Sequence, residues 1–153
     1  MAKEQIFINN NPIMVVHPFF FIRDNVILFR RNDASLSWGS ISGTVENYDI
    51  DILDTIIRET KEETRVSLSA ESIKRSSYSA VCLSPNTQKK LKINTFYYRL
   101  TPKLLNQSDI ILNPDELNGY EVLYKYDALT LMDISGERES FNGLKRLVEE
   151  GLI

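Results

Sequence analysis

The sequence predicts an α+β fold for this chain of 153 residues. Runs of β-branched and aromatic residues predict strands in the first third of the chain and again after residue 76. A segment after residue 50 has the periodicity of an amphipathic helix, and an apolar stripe near residue 145 predicts a closing helix. Strands mixed with two or three helices, without an internal repeat, indicate a single domain over residues 1–153 in which helices pack on a sheet.

The strands follow from residue type and from the turns between them. A hairpin is predicted over Ile13–Ile22 and Val26–Arg31, with Arg23-Asp24-Asn25 as its turn. A short strand around Trp38 then leads into a glycine turn at Gly43. The later strands are predicted over Ser77–Leu83, Leu91–Leu100 and Glu121–Tyr126. The connection Lys103–Gly119 is long for a compact domain, which is typical of functional loops.

The clearest helix is predicted over Asp51–Thr64. Its apolar and small residues recur at helical spacing, and Asp49 and Asp51 place carboxylates near its N-terminus. The closing helix lies between Ser135-Gly136 and Gly151, which are suitable start and stop signals.

Composition limits the function classes. The net charge of −3 disfavours duplex nucleic acid as a partner, because no positive excess is present to neutralise phosphates. No apolar run is long enough for a membrane span, and Met1–Ile6 lacks the apolar core of a secretion signal, so a cytoplasmic protein is expected. Cys82 is the single cysteine, so we expect a small core residue and no intrachain disulfide. The sequence leaves the oligomeric state open, a homodimer included.

Three glutamates on the predicted helix are the strongest indication of chemistry. Glu59, Glu62 and Glu63 stand at i, i+3 and i+4 and therefore share one face of the helix. Two carboxylates about 5 Å apart repel by about 3 kcal/mol at an effective dielectric constant of about 20, so a cluster of three is stabilised by a divalent cation. Mg²⁺ suits such a cluster, because it binds carboxylates, waters and substrate phosphates. The same residues also fit a solvated helix face on which Arg58 pairs with Glu62.

The surrounding sequence resembles the Nudix hydrolase family, whose box reads G-x5-E-x7-R-E-U-x-E-E-x-G-U, where U is apolar. Gly43–Val66 is the matching segment, and Arg58–Val66 carries the R-E-x-x-E-E core without a gap. Trp38–Gly43 resembles the family's W-x-x-P-G-G approach, Leu28–Arg31 the strand before it, and Glu121–Leu129 the last strand with its following helical turn. The resemblance implies an α/β/α sandwich, with a mixed sheet flanked by helices.

The loop of the box departs from the family pattern. Gly43 lies 15 positions before Arg58, where the box has 14, which indicates one inserted residue. The first glutamate of the box has no clean match, and Asp49 or Asp51 is the expected substitute in its loop-fixing role.

Two further departures concern backbone geometry. Arg65 replaces the final glycine of the box, where the resemblance implies a positive φ that costs arginine roughly 1 kcal/mol. Ile41 and Ser42 replace the proline and glycine before Gly43, near the backbone carbonyl that family members often use as a metal ligand.

The resemblance also implies a metal site. Glu59, Glu62 and Glu63 would bind Mg²⁺, with Mn²⁺ as the alternative ion, assisted by a backbone carbonyl of Ser42 or Gly43. These ligands would come from the helix and from the glycine loop before it.

Other catalytic roles come from the same resemblance. Arg58 would orient the carboxylates. The family supplies its general base from the helix or from a distant loop, so the candidates are Glu59, then Glu116, then Glu121.

Substrate contacts are less specific in the sequence. Arg31 is a candidate for phosphate binding, although an exposed arginine at a strand end is the alternative. Phe21 and Tyr98 are candidates for contact with a nucleotide, although aromatic residues on strands more often belong to the core. His17 lies in an apolar strand and is expected to be a core residue without a catalytic role.

The function implied by the resemblance is Mg²⁺-dependent hydrolysis of a phosphoanhydride bond, with water as the nucleophile. The substrate would be a nucleoside diphosphate linked to another group. The alternative is a Nudix-like module that binds or senses a nucleotide without cleaving it, which the altered glycine positions favour.

Overall fold

The computed structural model describes residues 12–84, 87–101 and 110–153. The strands are β1 (Ile13–Ile22), β2 (Asn25–Arg31), β3 (Trp38–Gly39), β4 (Gly43–Thr44), β5 (Ile73–Leu83), β6 (Lys90–Arg99) and β7 (Leu117–Tyr124). The helices are α1 (Ile52–Thr64), α2 (Lys125–Ser135) and α3 (Arg138–Glu149), with a short 3₁₀ turn at Ala70–Ser72. Met1–Ile6 and the first part of the long predicted connection, 103–109, lie outside these ranges.

The strands form one mixed sheet. Its main path runs β3-β2-β1-β6-β5, while β4 pairs with β1 and β7 pairs with β2. β1 and β2 are an antiparallel hairpin, whereas β1 and β6 run parallel from Ile13 opposite Leu91 to Phe21 opposite Arg99. The mixed sheet and its flanking helices confirm the predicted α+β class.

Helices cover both faces of the sheet, and two apolar cores result. Alternate residues of β1 face opposite sides, so Val16 and Phe20 join the core beneath α1, whereas Phe19 and Phe21 join the core beneath α2 and α3. The same alternation divides β2 between the two cores. The result is the sandwich implied by the sequence.

The predicted hairpin and the helix beginning after Asp51 agree with the structure, but three predictions need correction. β5 begins at Ile73 rather than at residue 77, because a break in the β5–β6 register between Arg75 and Ser79 interrupts the alternation that marks a strand. The expected helical turn after the last strand is a full helix, α2, whose weak apolar periodicity buries only Ala128 and Met132. Cys82 is half-buried on β5 rather than in the core, since among the described strands β5 pairs with β6 alone.

Within the described ranges, no helix combines the length and apolar character needed to cross a membrane.

Candidate active site

Helix α1 begins and ends at residues that fix its position. The Asp51 side chain accepts hydrogen bonds from the Leu53 and Asp54 amides at 2.8 and 3.1 Å, and the Asp54 carboxylate accepts from the Asp51 amide, which completes a capping box. The helix ends at Arg65, whose φ of 65° and ψ of 7° are left-handed and whose amide donates to the Lys61 carbonyl. The positive φ implied for Arg65 is therefore present.

A bidentate ion pair fixes the loop before α1. Arg58 donates from Nε and Nη2 to the two carboxylate oxygens of Asp49, at 3.1 and 3.0 Å. Asp49 also accepts from Thr55 Oγ1 and the Glu46 amide, both at 2.8 Å. These donors hold the pKa of Asp49 well below its usual range, mainly through Arg58. Asp49 therefore fixes the loop, and Asp51 caps the helix.

The acidic face of α1 forms one wall of an open pocket of about 360 Å³. The pocket brings together most of the predicted catalytic and metal-binding residues with several others. Its lining comprises Arg31, Ser42, Gly43, Thr44, Glu46, Glu59, Glu62, Glu63, Asn113 and Glu116.

The three glutamates of α1 differ in environment. Glu63 is 5% exposed, Glu59 has an 18% exposed side chain, and Glu62 is 55% exposed. Burial, followed by the charges of Glu59 and Glu116, raises the pKa of Glu63 to about 8. Burial also raises the pKa of Glu59, and Arg58 opposes that effect. The pocket therefore concentrates negative charge in a partly desolvated place.

A backbone hydrogen bond ties Glu63 to the loop that follows β6. Its carbonyl accepts a hydrogen bond from the Asn113 amide at 2.8 Å, which attaches the 110–117 loop to the end of α1. The carboxylate oxygen Oε2 is buried and has no hydrogen-bond partner in the described chain. Such an orphan acceptor is costly unless a cation or another donor satisfies it.

Position 43 requires glycine because a side chain there would overlap Glu59, not because of the backbone angle. A Cβ atom built on Gly43 would lie 2.3 Å from Cγ of Glu59, a distance that real structures do not allow. Gly43 pairs with Val16 of β1, so the sheet holds this loop against α1. Ser42 and Gly43 consequently line the pocket beside Glu59, as the resemblance implies.

The structure separates the base candidates. Glu59 and Glu116 line the acidic pocket from α1 and from the facing loop. Glu121 instead lines another cavity with Leu112, Gly119, Tyr120 and Val122. Glu121 is therefore outside the acidic pocket. Its neighbours Tyr120 and Val122 pack on the core beneath α1, so strand alternation directs Glu121 to the other face of the sheet.

The three candidates for substrate contact have different positions. Arg31 lines the acidic pocket and forms an ion pair with Glu137 at 3.6 Å. Phe21 is fully buried in the core on the opposite face of the sheet, so the prediction that it contacts substrate is wrong. Tyr98 packs on the core beneath α1, edge to face with Phe20, and is not part of the pocket lining.

Several pocket residues had no assigned role in the sequence. Thr44 and Glu46 follow the glycine turn, and Asn113 belongs to the long connection after β6. These residues meet in the pocket because loops that are distant in the sequence lie side by side in the fold. A turn-forming Asn-Pro-Asp sequence at 113–115 is the signal that could have indicated Asn113.

The oxygen atoms that line the acidic pocket are of the type that binds a hard divalent cation, although the described side chains do not yet surround one metal position. Among the residues that the structure describes, no three acidic, histidine or cysteine side chains already converge on a common metal position. Arg58 Nη1 lies 3.1 Å from Glu59 Oε1 and 3.5 Å from Glu62 Oε2, so two of the three α1 carboxylates pair with this guanidinium. Mg²⁺ prefers oxygen donors such as these carboxylates, the nearby backbone carbonyls and Glu63 Oε2, which has no partner within the described ranges.

Comparison with known proteins identifies the family of the chain. The family model described as the NUDIX domain matches residues 14–144. A search of curated proteins gave no match.

Solved structures share the fold at low sequence identity. The Escherichia coli dihydroneopterin triphosphate pyrophosphohydrolase is 16% identical with a TM-score of 0.70, over 90% of this chain and 95% of that one. A Caenorhabditis elegans Ap4A hydrolase is 16% identical with a TM-score of 0.66, over 92% and 98%. The NUDIX domain of Shewanella oneidensis NrtR, complexed with ADP ribose, is 14% identical with a TM-score of 0.70, over the full length of both chains.

Proposed function

The chain belongs to the NUDIX family of hydrolases, which act on pyrophosphate bonds, and we propose that it cleaves a nucleoside diphosphate linked to another group in a reaction that depends on Mg²⁺. Water is the nucleophile in this proposal. The acidic pocket on α1 is the proposed reaction site.

The environment of the Glu63 carboxylate is the main support for this proposal. A carboxylate that is 5% exposed, with one oxygen that finds no partner among the residues the structure describes, is unfavourable in a merely structural role. Glu59, Glu62 and Glu116 lie around the same pocket and increase the unfavourable charge. A divalent cation satisfies both the orphan oxygen and the repulsion, which supports metal binding at this place.

Glu59, Glu62 and Glu63 would hold the ion, together with a backbone carbonyl of Ser42 or Gly43. Mg²⁺ is the preferred ion because every candidate donor is an oxygen, and Mn²⁺ is the alternative. When bound, the ion would neutralise the charge of the diphosphate and favour attack at phosphorus.

The remaining pocket residues have proposed roles of their own. Arg31 binds a substrate phosphate, since it is the arginine among the described residues that line the pocket. Arg58 orients Glu59 and Glu62 while Asp49 holds its guanidinium in place. Glu59 is the first candidate for the general base that removes a proton from water, and Glu116 is the second.

The substrate class is proposed from chemistry shared with the structural neighbours. Their names refer to dihydroneopterin triphosphate, Ap4A and ADP ribose, which all contain linked phosphates. Nucleoside triphosphates, dinucleotide cofactors and nucleotide sugars belong to this class. A cytoplasmic location for the protein stays a prediction from composition.

A nucleotide panel tests the proposal. The protein is incubated with pooled nucleoside triphosphates, dinucleotides and nucleotide sugars, in Mg²⁺ and separately in chelator, and released phosphate or pyrophosphate is measured. We expect phosphate or pyrophosphate to be released in Mg²⁺ but not in chelator. Saturable nucleotide binding without release would support the alternative of a binding module. If the protein neither bound nor hydrolysed any nucleotide, both functions would be contradicted.

A further inference from the structure

Arg31 lies between two groups of carboxylates. It lines the acidic pocket that contains Glu63, and its Nη2 is 3.6 Å from Glu137 Oε2. Across the described ranges, Glu137 is its carboxylate partner within 4 Å, whereas the pocket glutamates are farther away. The guanidinium is thus held toward Glu137 although a denser acidic cluster lies in the same pocket.

The backbone of Glu137 is fixed at the turn between α2 and α3. The preceding residue, Gly136, forms a β-bridge with Trp38, and the Glu137 amide donates to the Trp38 carbonyl at 3.3 Å. The Glu137 carbonyl accepts from the Phe141 amide at 2.9 Å in the first turn of α3. A Cβ on Gly136 would lie 2.6 Å from the Met132 carbonyl oxygen, so the turn requires glycine to approach α2 this closely.

His17 bounds the other side of the Glu137 carboxylate. Its Nε2 lies 3.9 Å from Glu137 Oε1, and its Nδ1 is 3.2 Å from the hydroxyl of Ser140 on α3. His17 is 1% exposed, and burial, assisted by the charge of Arg31, lowers its pKa to about 4. The imidazole is therefore neutral near pH 7, so the positive charge beside Glu137 is that of the Arg31 guanidinium.

An unrestrained arginine at this place would oppose metal binding. Glu59 and Glu62 already pair with Arg58, so Glu63 is the α1 carboxylate that Arg31 could newly neutralise. If the long side chain of Arg31 turned toward Glu63, it would compete with a divalent cation for the same oxygens. A fixed carboxylate on the far side prevents this movement while leaving the other guanidinium nitrogens free to donate to phosphate.

We propose that Glu137 is a positioning residue that holds Arg31 against the pocket wall, away from the metal-binding glutamates. The inference rests on the proposed function, because it takes Mg²⁺ and a substrate phosphate as the ligands of the pocket. It assigns a role to a residue that belongs neither to α1 nor to the glycine loop.

The test compares Mg²⁺ binding by calorimetry in wild type, Glu137→Gln, Arg31→Met and the double variant. Glu137→Gln is expected to weaken Mg²⁺ binding roughly two- to fivefold, the effect of a half-exposed ion pair. Arg31→Met is expected to bind Mg²⁺ at least as tightly as wild type. The double variant should bind Mg²⁺ as tightly as Arg31→Met, because without Arg31 the Glu137 carboxylate has no guanidinium to position.

Glu139→Gln is the matched control. Glu139 lies on the same turn of the chain but hydrogen-bonds to Tyr78, so its loss should leave Mg²⁺ binding unchanged. Glu137 is 39% exposed, so its variant is expected to fold, which a thermal melt checks. A second readout is the KM for a hydrolysed nucleotide, which Glu137→Gln should raise more than it lowers kcat.

Two results would overturn the inference. Unchanged Mg²⁺ binding in Glu137→Gln, or equal weakening with and without Arg31, would show that Glu137 does not act through Arg31. Absence of Mg²⁺ binding by wild type, with or without nucleotide, would instead overturn the proposed function together with this inference.

Discussion

Gly43 and Glu59 touch so closely that no side chain larger than hydrogen fits between them. The Cγ atom of Glu59 lies 2.3 Å from the position that a Cβ on residue 43 would take. Gly43 is held by β1 and Glu59 by α1, so this contact sets the distance between the glycine loop and the acidic helix face.

Gly43→Ala is therefore expected to displace Glu59 from the pocket. We expect nucleotide hydrolysis to fall at least tenfold, and the free energy of unfolding to fall by about 1–2 kcal/mol, because the side chain must move to relieve the overlap. Steady-state kinetics and urea unfolding measure the two effects. Gly119→Ala is the control, since the nearest atom to its Cβ would be 4.0 Å away, and an equal loss in both variants would contradict the argument.

Arg65 has the left-handed conformation that favours glycine, with φ at 65°. Arg65→Gly is expected to raise the free energy of unfolding by about 0.5–1 kcal/mol, since the relief of backbone strain exceeds the added entropy of the unfolded chain. Denaturant midpoints measure the change. Arg65→Ala keeps the Cβ and should give no such gain, whereas destabilisation by glycine would show that the arginine side chain matters more than its backbone.

Buried His17 gives the stability a defined dependence on pH. Its pKa is about 4 in the folded chain and about 6.5 when unfolded, so between these values the unfolded state binds a proton that the folded state does not. Stability from this group is complete above pH 6.5 and decreases as the pH falls to 4, by roughly 3 kcal/mol in all.

Unfolding of wild type and His17→Asn in chelator, from pH 7 to pH 4, tests this dependence. The raised pKa of Glu63 acts in the opposite direction between pH 8 and pH 4.5, but both proteins share that contribution. The difference between their unfolding free energies should therefore narrow as the pH falls. A constant difference would mean that His17 is protonated equally in both states.

Glu62→Gln is expected to abolish Mg²⁺-dependent turnover while leaving the fold intact. Glu62 is 55% exposed, so its loss should change stability by less than about 0.5 kcal/mol. Hydrolysis kinetics and a thermal melt give the two readouts. Glu71→Gln, an exposed acid on the 3₁₀ turn, is the control, and near-normal turnover in Glu62→Gln would remove this residue from the site.

The acidic face of α1 could be predicted because it depends on local spacing. The i, i+3 and i+4 pattern placed the three glutamates on one wall of the pocket, and the capping role of Asp51 follows from its place before an apolar periodic segment. The choice between Asp49 and Asp51 for the loop required coordinates, because it depends on which carboxylate reaches Arg58.

Contacts between distant parts of the chain could not be predicted in the same way. The side of the sheet that Phe21 faces depends on strand register, which places it beneath α2 and α3 instead of at the pocket. Likewise, the pairing of Arg31 with Glu137 joins β2 to the α2–α3 turn, and no local pattern relates them. The sequence identified the chemical groups on one helix, while tertiary packing determined what surrounds them.

Metal binding to the α1 carboxylates is measured by the melting temperature of the wild-type protein in increasing Mg²⁺. At about 100 times its dissociation constant a ligand specific to the folded state adds about 2.7 kcal/mol, which for a chain of this size corresponds to a rise of about 5–10 °C. We expect this rise in Mg²⁺, none in Na⁺ at matched ionic strength, and a much smaller one in Glu62→Gln. An unchanged melting temperature in Mg²⁺, both alone and with a nucleoside diphosphate, would show that Glu59, Glu62 and Glu63 do not form a metal site.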